Sequence, residues 1–489
     1  MENEADKNRQ IMIDIINEVN FYADEINENE VYAEFSFDDH TEFCSIRSQR
    51  LYAFLNVYFR SRTSEYEMVN FKPFVNVKKD DTILFGEKVR VYNRIAGNEN
   101  EIYFFLSDDM WNTVVIAEDG WEIVQQTDYK FLKKANTKAQ VFPKNHKSKQ
   151  LDDLLRRFVN LDKESYALFK IALIQYFFPN SSHYIAVISS EHGTGKSTIT
   201  KLIRELIDPS VANVSFIPDN TEEIKNHLAN NMVVAFDNTK HQKDIVSDIL
   251  CSAVTGSSFT KRTLYTTADE TILNVHNIVI LNGINIVPNK SDLLERSILF
   301  ELKKIPTDKR KTDKEFWDKF AKYKPYILGE IFSIISKALG IRKNLSLTKT
   351  HRMSDAYTDM VAIAMAMGYT EGEFSQIFYS NRKKLEKAYS EGNYFVSSIV
   401  EYMEERNNKP IENTMTHIYQ LIKNSKKGDV RFFPKSASSF SRKLKEEESA
   451  LNLAGYKVYI DPKKDATYLK IEKIKEREKT KKQKNASTL

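Results

Sequence analysis

Ser190-Glu191-His192-Gly193-Thr194-Gly195-Lys196-Ser197-Thr198 is the stretch on which the fold turns. It follows an apolar run, Tyr184 to Ile188, and leads into a segment of helical spacing, which gives strand, glycine turn and helix. The glycines let the backbone turn so that its N–H groups and the start of the helix face an anion. Lys196 then reaches the β- and γ-phosphates of a nucleotide, and the Ser197 hydroxyl is placed to meet magnesium. Ser190 stands where the full phosphate-loop pattern has its first glycine, so the match is incomplete. Glu191, His192, Gly193, Thr194, Gly195, Lys196, Ser197 and Thr198 are the expected nucleotide contacts, with ATP and Mg2+ as cofactors. The alternative is a chance Gly-Lys turn.

Two more apolar runs, Met232 to Phe236 and Ile278 to Leu281, read as buried strands separated by helical patterns such as Asp244 to Val254. Continuous apolar strands alternating with helices predict a parallel sheet covered on both faces. The second strand ends in Asp237-Asn238, which puts a carboxylate at the C-terminal edge of the sheet, beside the phosphates. Asp237 is expected to hold magnesium. Many such ATPases carry Glu next, to orient the attacking water; here Asn238 leaves the catalytic base open between Glu191 and Glu270, both of which also read as surface residues. The third strand ends at Asn282, whose amide suits a water aligned against the γ-phosphate. Arg296 closes the segment Ser291-Asp292-Leu293-Leu294-Glu295-Arg296. It is either an arginine that acts on a neighbouring subunit's nucleotide or a salt-bridge partner of Asp292 or Glu295.

Outward from this core, the 489 residues suggest about three domains. Residues 1–145 mix short β-type stretches, Ile102 to Leu106 and Thr113 to Ile116, with polar turns and read as a small α/β domain. Lys133 to Gln150 reads as a linker. Residues 151–341 are the phosphate-loop domain with a helical subdomain, and 342–394 a helical connector. Residues 395–474 give three helices and a hairpin, Tyr456 to Ile460 with Thr467 to Ile471, which fits a winged helix. The charged tail 475–489 is expected to be disordered. The fold class expected is therefore α/β: a P-loop ATPase domain with parallel sheet and helical subdomain, a small N-terminal α/β domain and a C-terminal winged helix.

Composition limits the function. The residues are 41% hydrophobic and 12% aromatic, with no apolar run near the ~20 residues a bilayer requires, so a soluble, cytoplasmic protein is expected. Cys44 and Cys251 are far apart and lack metal-ligand spacing. The net charge of +4 is small, but from residue 341 onward basic residues exceed acidic ones by about ten, which suits either a phosphate-contacting module or a solvated surface. Adjacent carboxylates at Asp38-Asp39 and Asp108-Asp109 would point to opposite faces of a strand, which argues against a paired metal site. Trp111 and Trp121 read as core rather than base-stacking residues.

EHGTGKSTITKLIRELIDP, VVAFDN, SDILCSAVTGSSFTKRTLYTT, VILNGIN, DLLERSILFEL, HRMSDAYTDMVAIAMAMG and FPKSASSFSRKLKEEESALNLAGYKV occur in that order, within a resemblance that extends from about residue 100 to 472. In these segments the chain resembles the ATPases of phage, plasmid and integrative-element replication proteins, related to superfamily 3 helicases of the AAA+ class and often partnered with a primase. The resemblance implies an ATP-dependent DNA helicase or translocase, a homo-hexamer on single-stranded or forked DNA, and a separate primase. It makes Arg296 the arginine finger and Asn282 the sensor. It places Lys261 and Arg262 near a hairpin facing a DNA channel, although Arg262 also suits the nucleotide. It brings Ser441, Arg442 and Lys443 to the DNA backbone, with helix capping and solvation as the alternative. An ATP-controlled switch or origin-binding protein, and a defence ATPase with the same motor, remain open.

Overall fold

A computed structural model describes residues 4–474, apart from 28, 64–67, 147, 192, 238, 240–243, 263–269, 284–289, 307, 309, 348–350, 426–432 and 464–465. At its centre lies a four-stranded, wholly parallel sheet. Its strands, in chain order, are Ile185–Ser189, Val233–Phe236, Ile278–Gly283 and Ser297–Glu301. The spatial order is second, third, first, fourth, which sets the first strand in the middle.

Every residue of the first three strands is buried, as expected of a sheet covered on both faces. Side-chain alternation assigns them to two cores. Ala186 and Ile188 face one hydrophobic cluster, with Ala235, Ile280 and Phe300. Ile185 and Val187 face the other, with Val234, Val279 and Leu299. Helices Lys196–Ile207 and Lys163–Gln175 cover the first face, and Asp244–Thr255 the second.

The first core extends well beyond the sheet. It takes in the helix Asp313–Lys343, opened by a capping box between Thr312 and Glu315, and the helix Ser354–Ala366. It also takes in an antiparallel meander of Ile95–Gly97, Ile102–Phe105, Thr113–Ala117 and Gly120–Val124. The polar stretch expected to be a linker is packed against this unit. Gln140 is buried and donates to the carbonyls of Glu205 and Leu206 at 3.0 Å each, and the Lys144 amide donates to Pro325 O at 2.9 Å. Buried Arg94 reaches Asp208 at 3.0 Å and the carbonyls of Phe105, Leu106 and Lys138. A separate N-terminal layer has a sheet in the order His40–Ser45, Val31–Phe37, Asn20–Asp24, Lys88–Val89, with helices Glu4–Asn17, Gln49–Thr63 and Lys72–Phe85 on a core of their own.

The second core runs into the C-terminal part. Leu385 and Tyr389 of the helix Glu371–Gly392 share it with Phe395, Ile418, Phe440 and Ile471. Helices Tyr394–Glu405, Met415–Ser425 and Ala437–Glu446 pack with a three-stranded antiparallel sheet in the order Ile411–Thr414, Thr467–Lys473, Tyr456–Pro462. The strand Ile411–Thr414 and a short helix, Glu448–Leu453, add to the elements expected from sequence. The tail 475–489 lies outside the described residues. No helix among the described residues is long and apolar enough to cross a membrane.

Candidate functional site

The first strand delivers the chain at Ser189 into a turn whose two glycines lie in the left-handed region, Gly193 at φ 74° and Gly195 at φ 87°. Side chains adopt that region at a cost, so both glycines are needed for the turn. Gly195 is the N-cap of the helix that begins at Lys196. Ser190, in place of the first glycine of the pattern, is used locally: its hydroxyl meets the Thr194 hydroxyl, which also donates to Glu191 O at 3.2 Å. Thr198 lines a cavity beside the loop. His192 lies outside the described residues.

Lys196 curls back over the turn. Its ammonium donates to the carbonyls of Ser190 and Glu191 at 2.8 and 2.7 Å, and partial desolvation pulls its pKa below the usual range while Asp237 opposes this. Ser197 Oγ donates to Asp237 Oδ2 at 3.0 Å. Asp237 follows the second strand, and its amide donates to Ser215 O at 2.9 Å, which fixes the backbone at that edge. Asn282, near the end of the third strand, is fully buried; its Nδ2 donates to Thr200 Oγ1 at 3.0 Å, and Thr200 Oγ1 donates to Lys196 O at 3.0 Å. The Asn282 Oδ1 has no hydrogen-bond partner among the described residues, an open acceptor at the root of the loop helix. Lys196, Ser197, Asp237 and Asn282 thus converge at the C-terminal edge of the sheet, where open α/β sheets bind ligands. Asn238 lies outside the described residues.

The hydroxyl and carboxylate of Ser197 and Asp237 suit a magnesium ion that completes its shell with phosphate oxygens and water. No group of three or more His, Cys, Asp or Glu side chains able to hold a metal occurs among the described residues. A cavity of about 400 Å³ opens beside the loop, lined by Phe158, Asn160, Thr194, Gly195, Ile305 and Phe316 among others. Arg310 adds a cation that sequence reasoning missed. A Cβ built on Gly193 would lie 3.5 Å from its guanidinium Nη2. Arg310 belongs to no recognisable motif, and only folding brings it to the loop.

Arg296 stands at the opposite edge of the sheet. Its carbonyl accepts from the Ile185 amide at 2.7 Å, at the start of the first strand. Its guanidinium pairs with Asp292, which also pairs with Arg352, and Arg352 reaches Glu295. The salt-bridge alternative of the sequence reading is thus met within the chain.

Lys261 and Arg262 end the strand Ser257–Arg262, paired with Glu270–Val275; the hairpin tip lies outside the described residues. In the C-terminal part, Lys443 reaches buried Glu447 at 3.0 Å, and Tyr389 Oη donates to that same carboxylate at 2.5 Å. Arg442 is 78% exposed and loosely paired with Glu446 at 3.8 Å. Trp111 is buried, and Trp121 is half-buried with its indole N–H donating to Ser333 Oγ at 3.1 Å.

Residues 151–371 match the family model of the actinomycete integrative conjugative element replication protein. That span holds the glycine loop, Asp237, Asn282, Arg296 and Arg310. Among solved structures, the chain is similar to the A form apo structure of the NrS-1 C terminal region, with a TM-score of 0.43 at 11% identity, covering 95% of this chain and 98% of that one. A second apo structure of the NrS-1 C terminal region gives a TM-score of 0.41 at 11% identity, covering 97% and 100%. No curated protein matches the chain. Through residues 151–371 the chain is similar to a replication protein of a mobile genetic element.

Proposed function

We propose that the chain is a P-loop ATPase of the AAA+ kind, working as a DNA helicase or translocase in the replication of a mobile element. The observation that carries the reading is the convergence of Lys196, Ser197, Asp237 and Asn282 on one edge of a parallel sheet, around a glycine turn open to an anion. Similarity to a mobile-element replication protein over residues 151–371 supports the biological setting.

In this reading Lys196 exchanges its two carbonyl partners for the β- and γ-phosphates, and Ser197 and Asp237 would hold Mg2+. ATP with its magnesium supplies the phosphoryl group. The open Asn282 Oδ1 accepts a hydrogen bond from the water aligned against the γ-phosphate and leaves the proton to another base. Arg296 bonds through its carbonyl to the Ile185 amide, at the other end of the first strand from its own loop, so in this reading it serves the nucleotide of the next copy in a ring, for which six copies is our proposal. Lys261 and Arg262 carry DNA in the channel. The C-terminal sheet and helices act as a winged helix with Arg442 towards the DNA backbone. A separate primase would start synthesis.

One feature favours a second reading. Asn238, where Glu would orient water, suits slow hydrolysis that resets a DNA-bound assembly. ATP turnover with and without single-stranded DNA, measured beside forked-duplex unwinding, decides between them. Stimulated turnover with strand separation supports the motor. ATP binding without stimulation or unwinding replaces it with the switch.

A further inference from the structure

Between the sheet that contains Val31–Phe37 and the meander lies a cleft of about 610 Å³, far in sequence from the glycine loop. Its walls include Phe43, Tyr103, Trp111 and Tyr129, and the Tyr103 and Tyr129 rings lie 4.6 Å apart. Aromatic walls of this kind invite comparison with a base-stacking platform, but the charge argues otherwise. The lining carries Glu34, Glu101, Glu122 and Asp128 against the single cation Lys130, and Lys130 is already paired with Glu34. A phosphate chain entering here would face three uncompensated carboxylates.

The fold itself displays what such surroundings hold. The Lys130 ammonium sits 4.9 Å from the Tyr22 ring centroid while paired with Glu34, and the Lys133 ammonium sits 4.7 Å from that of Trp111. Each places an ammonium against an aromatic face, the arrangement that ring quadrupoles favour. Tyr103, Tyr129, Glu101 and Asp128 offer the same combination, and among the described residues no lysine or arginine lies over either ring. Thr113, 1% exposed, also lines the cleft, and its Oγ1 has no hydrogen-bond partner among the described residues. A buried hydroxyl left open in this way marks a place for an incoming donor.

We infer that this cleft binds a lysine- or arginine-bearing polypeptide segment of a partner protein, whose cationic head enters between the Tyr103–Tyr129 pair and the Glu101, Glu122 and Asp128 carboxylates. The site is independent of the nucleotide reading.

The test is titration of the full chain with a fluorescein-labelled octapeptide of alternating lysine and alanine, and separately with labelled ten-residue oligothymidylate. The variants are Glu122→Gln with Asp128→Asn, and Tyr129→Ala; both carboxylates are exposed, so the double variant should keep the native thermal melt. Salt-sensitive peptide binding, weakened roughly 5- to 10-fold in the double variant and weakened again by Tyr129→Ala, is the expected result. Peptide binding that is absent, or equal in native and double-variant protein, overturns the inference. So does oligothymidylate binding that is lost with Tyr129→Ala and kept in the double variant, because the cleft is then a base-stacking site.

Discussion

The Arg296 carbonyl accepts a hydrogen bond from the Ile185 amide at the end of the first strand remote from Lys196. The strand between them rises about 13 Å, and the Arg296 guanidinium is turned towards Asp292. If this arginine assists hydrolysis, it does so across a subunit boundary. Arg296→Ala and Lys196→Ala should each lower ATP turnover by about 10³-fold. An equimolar mixture of the two should regain part of it, because some interfaces then join an intact loop to an intact arginine. A mixture as inactive as its components would leave Arg296 a purely structural residue.

Asp237 and Ser197 should govern the metal rather than the nucleotide alone. Asp237→Asn is expected to raise the magnesium concentration needed for half-maximal binding of a fluorescent ATP analogue by roughly 10- to 100-fold. Binding in excess chelator should match the native protein. Loss of binding in both conditions would show that Asp237 shapes the loop and does not serve the metal.

Arg94 ties the N-terminal meander to the helix of the glycine loop through Asp208 and three carbonyls. Its removal strands a carboxylate and several acceptors in the interior. Arg94→Met should cost about 3–5 kcal/mol, read as a lower urea midpoint. An unchanged midpoint would mean that the packing around Arg94 carries the junction unaided.

Acid should weaken the fold through His351. Burial brings its pKa down to about 4, with Arg382 adding to the effect, and its Nδ1 lies 2.8 Å from the Tyr184 hydroxyl. Between the ordinary value of 6.5 and about 4 the unfolded chain binds the proton and the folded one does not, so stability falls as pH drops through that window. His351→Gln should flatten the dependence of the urea midpoint on pH over this range by less than one proton equivalent. An identical slope in the variant would assign the acid sensitivity to other groups.

Much of the central architecture is readable in the chain because strands buried on both faces must be apolar throughout. The runs ending at Ile188, Phe236 and Leu281 announce a parallel sheet without further help. The glycine spacing likewise announces the turn. Other features carry no such signal. The strand Ile411–Thr414, Ile-Glu-Asn-Thr, is polar on an edge and exists because Thr467–Lys473 pairs with it. The stretch 133–150 reads as a linker because its polar groups are satisfied by distant partners, such as Gln140 by the carbonyls of Glu205 and Leu206. Arg310 comes to Gly193 only through the tertiary fold.

The alternation along Ile185–Ser189 has a mechanical consequence. The central sheet is a partition one side chain thick on each face, with the meander and the long helix Asp313–Lys343 on one side and the C-terminal elements on the other. A tilt of the first strand, driven from the glycine turn at its end, must push into one compartment as it withdraws from the other, because close-packed interiors yield little. Any displacement of that strand is therefore felt in both compartments at once.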